Sequence, residues 1–211
     1  MEIFKLVFSP IEVNTYILSD GSGQCAVIDC GCYNLSEFEK LVVFINSKNL
    51  TPVLLINTHC HLDHIFGNRM FLEKYNIGTY CHKSEELNLK DSIYIASVFG
   101  MKMEDPPEPE GLIEEGSVVK FGNTELKALF VPGHSSGSLA FYSETDKIVF
   151  TGDALFAGSI GRTDLKGGDY DTLIHSIREK LFTLPPDTIV YPGHGEPTSI
   201  EAEMKTNPYF N

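Results

Sequence analysis

Three histidines and an aspartate fall within six positions in Thr58-His59-Cys60-His61-Leu62-Asp63-His64. Four metal-ligating side chains so close together constrain the fold, because the backbone around them must turn them toward one space. The stretch follows Val53-Leu54-Leu55-Ile56, an apolar run with a proline before it and polar residues after it, which predicts a short buried strand. His59 and His61 are two apart and face the same side of extended backbone. Asp63 and His64 come at the start of a helix expected over Ile65–Tyr75, which swings them toward that side. Imidazole and carboxylate are the usual ligands of zinc and similar divalent ions. A single histidine here would read as a packed core residue, and Asp63 alone as a helix cap. Four such groups at one strand end read as a metal site.

The rest of the chain is long enough to build a scaffold for that site. A length of 211 residues suits one domain with a full layered core, spanning 1–211. Three strands are expected over Ile3–Phe8, Glu12–Ser19 and Gln24–Asp29, as an antiparallel meander. A helix over Asn34–Ser47 carries Leu35, Phe38, Leu41, Val42 and Ile45 at helical spacing, with Asn34 as cap. After the histidine cluster come a strand near Thr79–Cys81 and a helix capped by Ser84 and running to Phe99. Residues 104–115 hold six acids and no base, and Pro106, Pro107 and Pro109 mark them as a loop. The second half predicts strands at Val118–Phe121, Glu125–Val131, Leu139–Ser143, Lys147–Thr151 and Thr188–Tyr191. A helix over Tyr170–Phe182 has Asp169 as its cap, and Thr198 with Glu201 has capping-box spacing for a short last helix. Strands followed by helices in both halves favour two packed sheets with helices outside, a four-layer αββα arrangement of the α/β class.

Charge and cysteine content narrow the function classes. A formal net charge of -13 opposes a general nucleic-acid or anionic-membrane surface. The N-terminus opens directly into a strand pattern without a signal-peptide layout, and no apolar run reaches the ~18–20 residues of a membrane span. Five cysteines at irregular spacing do not make a disulfide framework. A reducing cytoplasm is the expected compartment.

Three more candidate ligands each stand at the end of an expected strand: His134 after Val131-Pro132-Gly133, Asp153 after Thr151-Gly152, and His194 after Tyr191-Pro192-Gly193. With these residues in this order, the chain resembles the metallo-β-lactamase fold superfamily over nearly its whole length. The resemblance implies one metal held by His59, His61 and His134, a second by Asp63, His64 and His194, and Asp153 bridging both. Gly158-Ser159-Ile160-Gly161-Arg162-Thr163-Asp164 and Asn207-Pro208-Tyr209-Phe210 resemble the single-domain, glyoxalase II-like (hydroxyacylglutathione hydrolase-like) hydrolases. That likeness implies a basic residue for a substrate carboxylate at Arg162, for which an ion-pairing role is the other reading. The family's usual aromatic positions hold Asp164 and Glu196, which are expected to repel an anionic tripeptide. The C-terminal helical domain that completes the glutathione site in two-domain members is also expected to be lacking.

The chemistry follows from the ligand set. Two divalent ions, zinc or else iron or manganese, outweigh two carboxylates and leave the pocket cationic inside an acidic protein. Metal-bound water can have its pKa lowered to about 7, giving a hydroxide that bridges the ions. A small-molecule acyl thioester suits such a site, since its thiolate leaves with a conjugate-acid pKa of roughly 8.5 and binds zinc well. Asp63 is the candidate to orient the nucleophile besides serving as a ligand. One alternative is a persulfide dioxygenase with a single iron on His59, His134 and Asp153. Another is a lactone, β-lactam or phosphodiester hydrolase on the same fold. Cys60 is expected to point away from the ligands, and His82 and His175 lie outside the ligand pattern. Tyr94, Ile95, Phe99, Met101 and Met103 are expected to pack on the core rather than wall a pocket. The spacing leaves the oligomeric state open.

Overall fold

The computed structural model describes residues 1–211. It contains two six-stranded sheets packed face to face with helices on both outer sides. In the first, β1 (Glu2–Phe8), β2 (Val13–Ser19) and β3 (Gln24–Ile28) run antiparallel as the expected meander. They continue into β4 (Thr51–Ile56), β5 (Thr79–Cys81) and β6 (Gly111–Leu112), each parallel to its neighbour. The second sheet uses β7 (Val118–Phe121), β8 (Thr124–Phe130), β9 (Leu139–Ser143), β10 (Ile148–Gly152), β13 (Ile189–Pro192) and β14 (Thr198–Ser199). Its order is β14-β13-β10-β9-β8-β7, and only β10 and β13 run parallel. A small hairpin, β11 (Leu155–Phe156) with β12 (Ser159–Ile160), stands apart.

Strand alternation explains the layers. Tyr16, Leu18, Ala26 and Ile28 face inward and meet Phe121, Leu126, Phe141 and Phe150 of the other sheet. The intervening Ile17 and Val27, with Leu55, face outward against Phe38, Leu41 and Ile45 of α1 (Leu35–Ser47) and Phe71 of α3 (Asn68–Tyr75). On the far side Leu129, Val149 and Val190 meet Leu173 of α5 (Tyr170–Ser176), with Ile177 and Leu181 of the π-helical turn that follows. Each such side chain contributes about 1.5–3 kcal/mol by leaving water. The four-layer αββα expectation is met.

Several local expectations are corrected. The helix expected over Ile65–Tyr75 starts earlier and is broken into α2 (Leu62–Ile65) and α3, because the Gly67 N–H donates to Cys30 O at 2.8 Å. Ser84 does not cap α4 (Glu86–Val98); it lies in a 3-10 turn whose cap is His82, with Nδ1 accepting from Ser84 N. Ser199, not Thr198, caps α6 (Ile200–Thr206), while the Thr198 hydroxyl donates to Glu203 Oε1. Tyr94 and Phe99 are exposed rather than packed in the core. Asn34 and Asp169 cap as expected. No helix is long and apolar enough to cross a membrane.

Candidate metal centre

Five of the seven candidate ligands leave strand ends or the turns just after them, Asp63 and His64 stand on the short α2, and both sheets deliver them to one edge of the sandwich. His59, His61, Asp63 and His64 follow β4; His134 follows β8; Asp153 follows β10; His194 follows β13. The β10–β13 pair is parallel, so Asp153 and His194 emerge side by side. Gly193 makes this approach possible: a Cβ there would lie 2.1 Å from Asp153 Oδ1.

Two groups of donors form, with Asp153 reaching both. His134 Nε2 lies 2.9 Å from His61 Nδ1 and 3.1 Å from His59 Nε2. Asp63 Oδ2 lies 3.1 Å from His194 Nε2 and 3.6 Å from His64 Nε2. Asp153 Oδ1 stands 3.4 Å from His64 Nε2, and its Oδ2 stands 3.7 Å from His134 Nε2 and 3.5 Å from His194 Nε2. The ligand atoms in each of the groups His59–His61–His134, His59–His64–Asp153 and Asp63–His64–His194 lie within 4.8 Å of one another.

Outer hydrogen bonds decide which nitrogen faces inward. His64 Nδ1 pairs with Asp29 Oδ2 at 2.9 Å, His134 Nδ1 with Arg162 O at 2.8 Å, and His194 Nδ1 with Glu12 O at 3.1 Å. Those oxygens accept, so each Nδ1 carries a proton and each Nε2 is left facing the centre. His59 Nδ1 contacts Thr58 Oγ1 at 3.1 Å, and that hydroxyl already donates to Asp29 Oδ2 at 2.7 Å. The inward nitrogens of His59 and His134 thus converge, with His61 Nδ1 beside them. His64 Nε2 and Asp153 Oδ1 are buried without any hydrogen-bond partner. Converging ring nitrogens and unpaired buried acceptors are costly alone and are satisfied by cations. The donor set therefore fits divalent metal ions.

Charge within the cluster divides the residues. Burial drives the His59 imidazole well below its ordinary range, and the rings of His64, His134 and His61 push the same way. Burial and the same kind of neighbours bring His61 down to about 3. Both are neutral ligands near pH 7. For His64, burial also opposes charge, but the carboxylates of Asp153, Asp63 and Asp29 outweigh it and raise the pKa. Burial would raise the Asp63 and Asp153 carboxyls, yet His64 above all holds both below the usual range. Without a metal, protons on the Asp-facing imidazoles take the place of cations.

Two functional residues escaped the sequence reading. Asp29 is buried and adopts φ 55, and besides His64 it accepts from Thr58 N at 2.8 Å. Glu85 is fully buried and accepts from Cys60 N at 2.7 Å. Both lie outside any spacing pattern, and only the lone Asp-Cys-Gly at the end of β3 hints at the first. Cys60 packs with Cys81 and Leu89, away from the ligands.

At the rim, Arg162 does not offer a free guanidinium. Its Nε and Nη2 each donate to Asp164 at 2.7 Å, a bidentate pair exposed to solvent. Glu196 accepts from Lys5 Nζ at 2.8 Å. Of the two acids expected to repel an anionic tripeptide, Asp164 is therefore paired with Arg162, and Glu196 with a second cation, Lys5.

Comparison with known proteins agrees with this architecture. The family model described as the metallo-beta-lactamase superfamily matches residues 9–194. A probable metallo-hydrolase, YqgX, of Bacillus subtilis is 39% identical, covering 98% of this chain and 96% of its own. The hydroxyacylglutathione hydrolase GloC of Haemophilus influenzae is 34% identical over 100% of this chain and 99% of its own. Among solved structures, the BLEG-1 B3 metallo-beta-lactamase superposes with a TM-score of 0.92 at 32% identity, covering 100% of both chains. TTHA1623 in a di-iron-bound form superposes at 0.89 with 35% identity, covering 98% of this chain and 99% of its own. From its ligand order, its paired sheets and these matches, the chain belongs to the metallo-beta-lactamase superfamily.

Proposed function

We propose that this chain is a metal-dependent hydrolase of small acyl thioesters, of the hydroxyacylglutathione type. The observation that carries the reading is the placement of Asp153 between two complete donor groups. In this reading His59, His61 and His134 would hold one ion and Asp63, His64 and His194 a second, with Asp153 in reach of both groups. Such ions, when bound, acidify water to give a nucleophile near neutral pH and polarise an acyl carbonyl.

The side chains do the rest. Asp29, Arg162 O and Glu12 O fix the tautomers of His64, His134 and His194, so the ligand lone pairs are set before substrate arrives. Asp63, beyond its ligand role, orients the nucleophile at the side of the cluster where His194 is a quarter exposed. All five imidazoles and both carboxylates are engaged with one another in the cluster, which leaves none free as a proton donor to the leaving group. A thiolate, with a conjugate-acid pKa of roughly 8.5, departs without one, whereas an amine does not. Similarity to GloC over the full length supports the thioester class.

The ions are zinc in this reading, with iron and manganese as alternatives, and the di-iron form of TTHA1623 makes iron a serious one. The test is metal analysis of purified protein together with turnover of lactoylglutathione, a neutral acyl thioester, a lactone, a β-lactam and glutathione persulfide. Two ions per chain and preferred thioester cleavage are expected. One iron with oxygen uptake on the persulfide would replace this reading by a dioxygenase, and preferred β-lactam cleavage by a lactamase.

A further inference from the structure

Glu85 is a carboxylate with no solvent exposure, set just before α4, and neutral donors meet both of its oxygens. Oε2 accepts from Cys60 N at 2.7 Å and from Asn88 Nδ2 at 2.8 Å. Oε1 accepts from Gly137 N at 2.6 Å and from Ser135 Oγ at 2.5 Å. Cys60 stands between His59 and His61, and Ser135 follows His134. One side chain therefore ties the backbone next to three ligands that arrive from two different sheets. Gly137 is part of the same device: a Cβ there would sit 2.6 Å from Glu85 Oε1, so no side chain fits.

Burying a carboxylate is expensive unless its lone pairs are filled, and an apolar filler of equal size is often no less stable. A fully bonded buried acid is better explained by the geometry it imposes. Asp29 makes a separate set of bonds, to His64 directly and to His59 through Thr58. We propose that Glu85 is a positioning residue for metal binding, which sets the backbone of the His59–His61–His134 group as one ion site, while Asp29 reaches that group only at His59, through Thr58. The proposal rests on the two-ion reading above.

Its test uses metal-free protein titrated with Co²⁺ alone, followed by the visible spectrum and by calorimetry. Wild type is expected to take up two ions. Glu85→Gln places an amide N–H₂ against one pair of N–H or O–H donors, and should weaken one binding step about 10–100-fold, with an altered Co²⁺ spectrum. The other step should stay within about threefold, since its ligands lie on the Asp29 side. Ser135→Ala removes one donor without creating a mismatch; it should shift the same step in the same direction, by less, and keeps the question answerable if Glu85→Gln does not fold. Thermal unfolding of the metal-free variants separates binding from folding. Unchanged Co²⁺ binding in both variants overturns the proposal, as does equal weakening of both steps with a lowered metal-free Tm. If wild type takes up a single ion, the two-ion reading fails. Glu85 then stands or falls on whether both variants weaken that ion at unchanged metal-free stability.

Discussion

The buried floor of the metal centre and its open rim are built from the same residue types under opposite conditions. At the floor, Asp29 and Glu85 are nearly or fully inaccessible and each of their oxygens is bonded. At the rim, Arg162–Asp164 and Lys5–Glu196 are ion pairs on side chains that water reaches, with Asp164 and Glu196 the more open partners. A buried acid that loses its partner, or whose partner loses it, leaves an unpaired group in low dielectric, which costs several kcal/mol. Exposed pairs are worth about 0–1 kcal/mol and rearrange readily. The candidate metal ligands are thus held firmly, while the charged groups at the rim are held loosely.

This contrast can be broken first at the ligands. His134→Ala and Asp153→Ala should each abolish hydrolysis and lower metal content, with circular dichroism unchanged because both residues lie at strand ends outside the sheets. Measurable turnover in either would detach the chemistry from the cluster. Next comes the floor: Asp29→Asn should cost about 10–100-fold in metal affinity or activity, through the loss of the acceptor that orients His64. A loss no larger than that of a rim variant would erase the distinction between the two regions.

The rim effects should be smaller. Arg162→Ala should raise KM for a thioester with a free carboxylate by about fivefold and leave kcat nearly constant, the mark of lost ground-state binding. Equal losses on a neutral thioester would make Arg162 structural, through its carbonyl on His134. The smallest change is expected from Asp164→Asn, which frees the guanidinium fork. KM for the anionic thioester should fall about two- to threefold at low salt, and the gain should fade at high salt as screening grows. A rise in KM instead would mean that Asp164 aligns Arg162 rather than competing for it.

The sequence made some of this legible and hid the rest for physical reasons. Ligands cluster in one stretch or recur at strand ends, so His59 to His64, His134, Asp153 and His194 stood out as candidates, and strands followed by helices in both halves announced the layers. Asp29 and Glu85 carry no such signal. Their role depends on which loops pass within hydrogen-bond reach, and Cys60 and Gly137 are 77 positions apart in the chain. The strands β6, β11, β12 and β14 are two residues long, too short for any period to register. The pairing of Arg162 with Asp164 was equally hidden: adjacent opposite charges name a possible pair but not which partner a guanidinium selects.

The most direct measurement is metal stoichiometry and thioester turnover on one preparation, with metal removed by chelation and then restored one equivalent at a time. Activity on an acyl thioester should be absent in the metal-free protein and reach its full value at two ions per chain. Full thioesterase activity at one equivalent, or none at two while another substrate of the panel is turned over, would contradict the account.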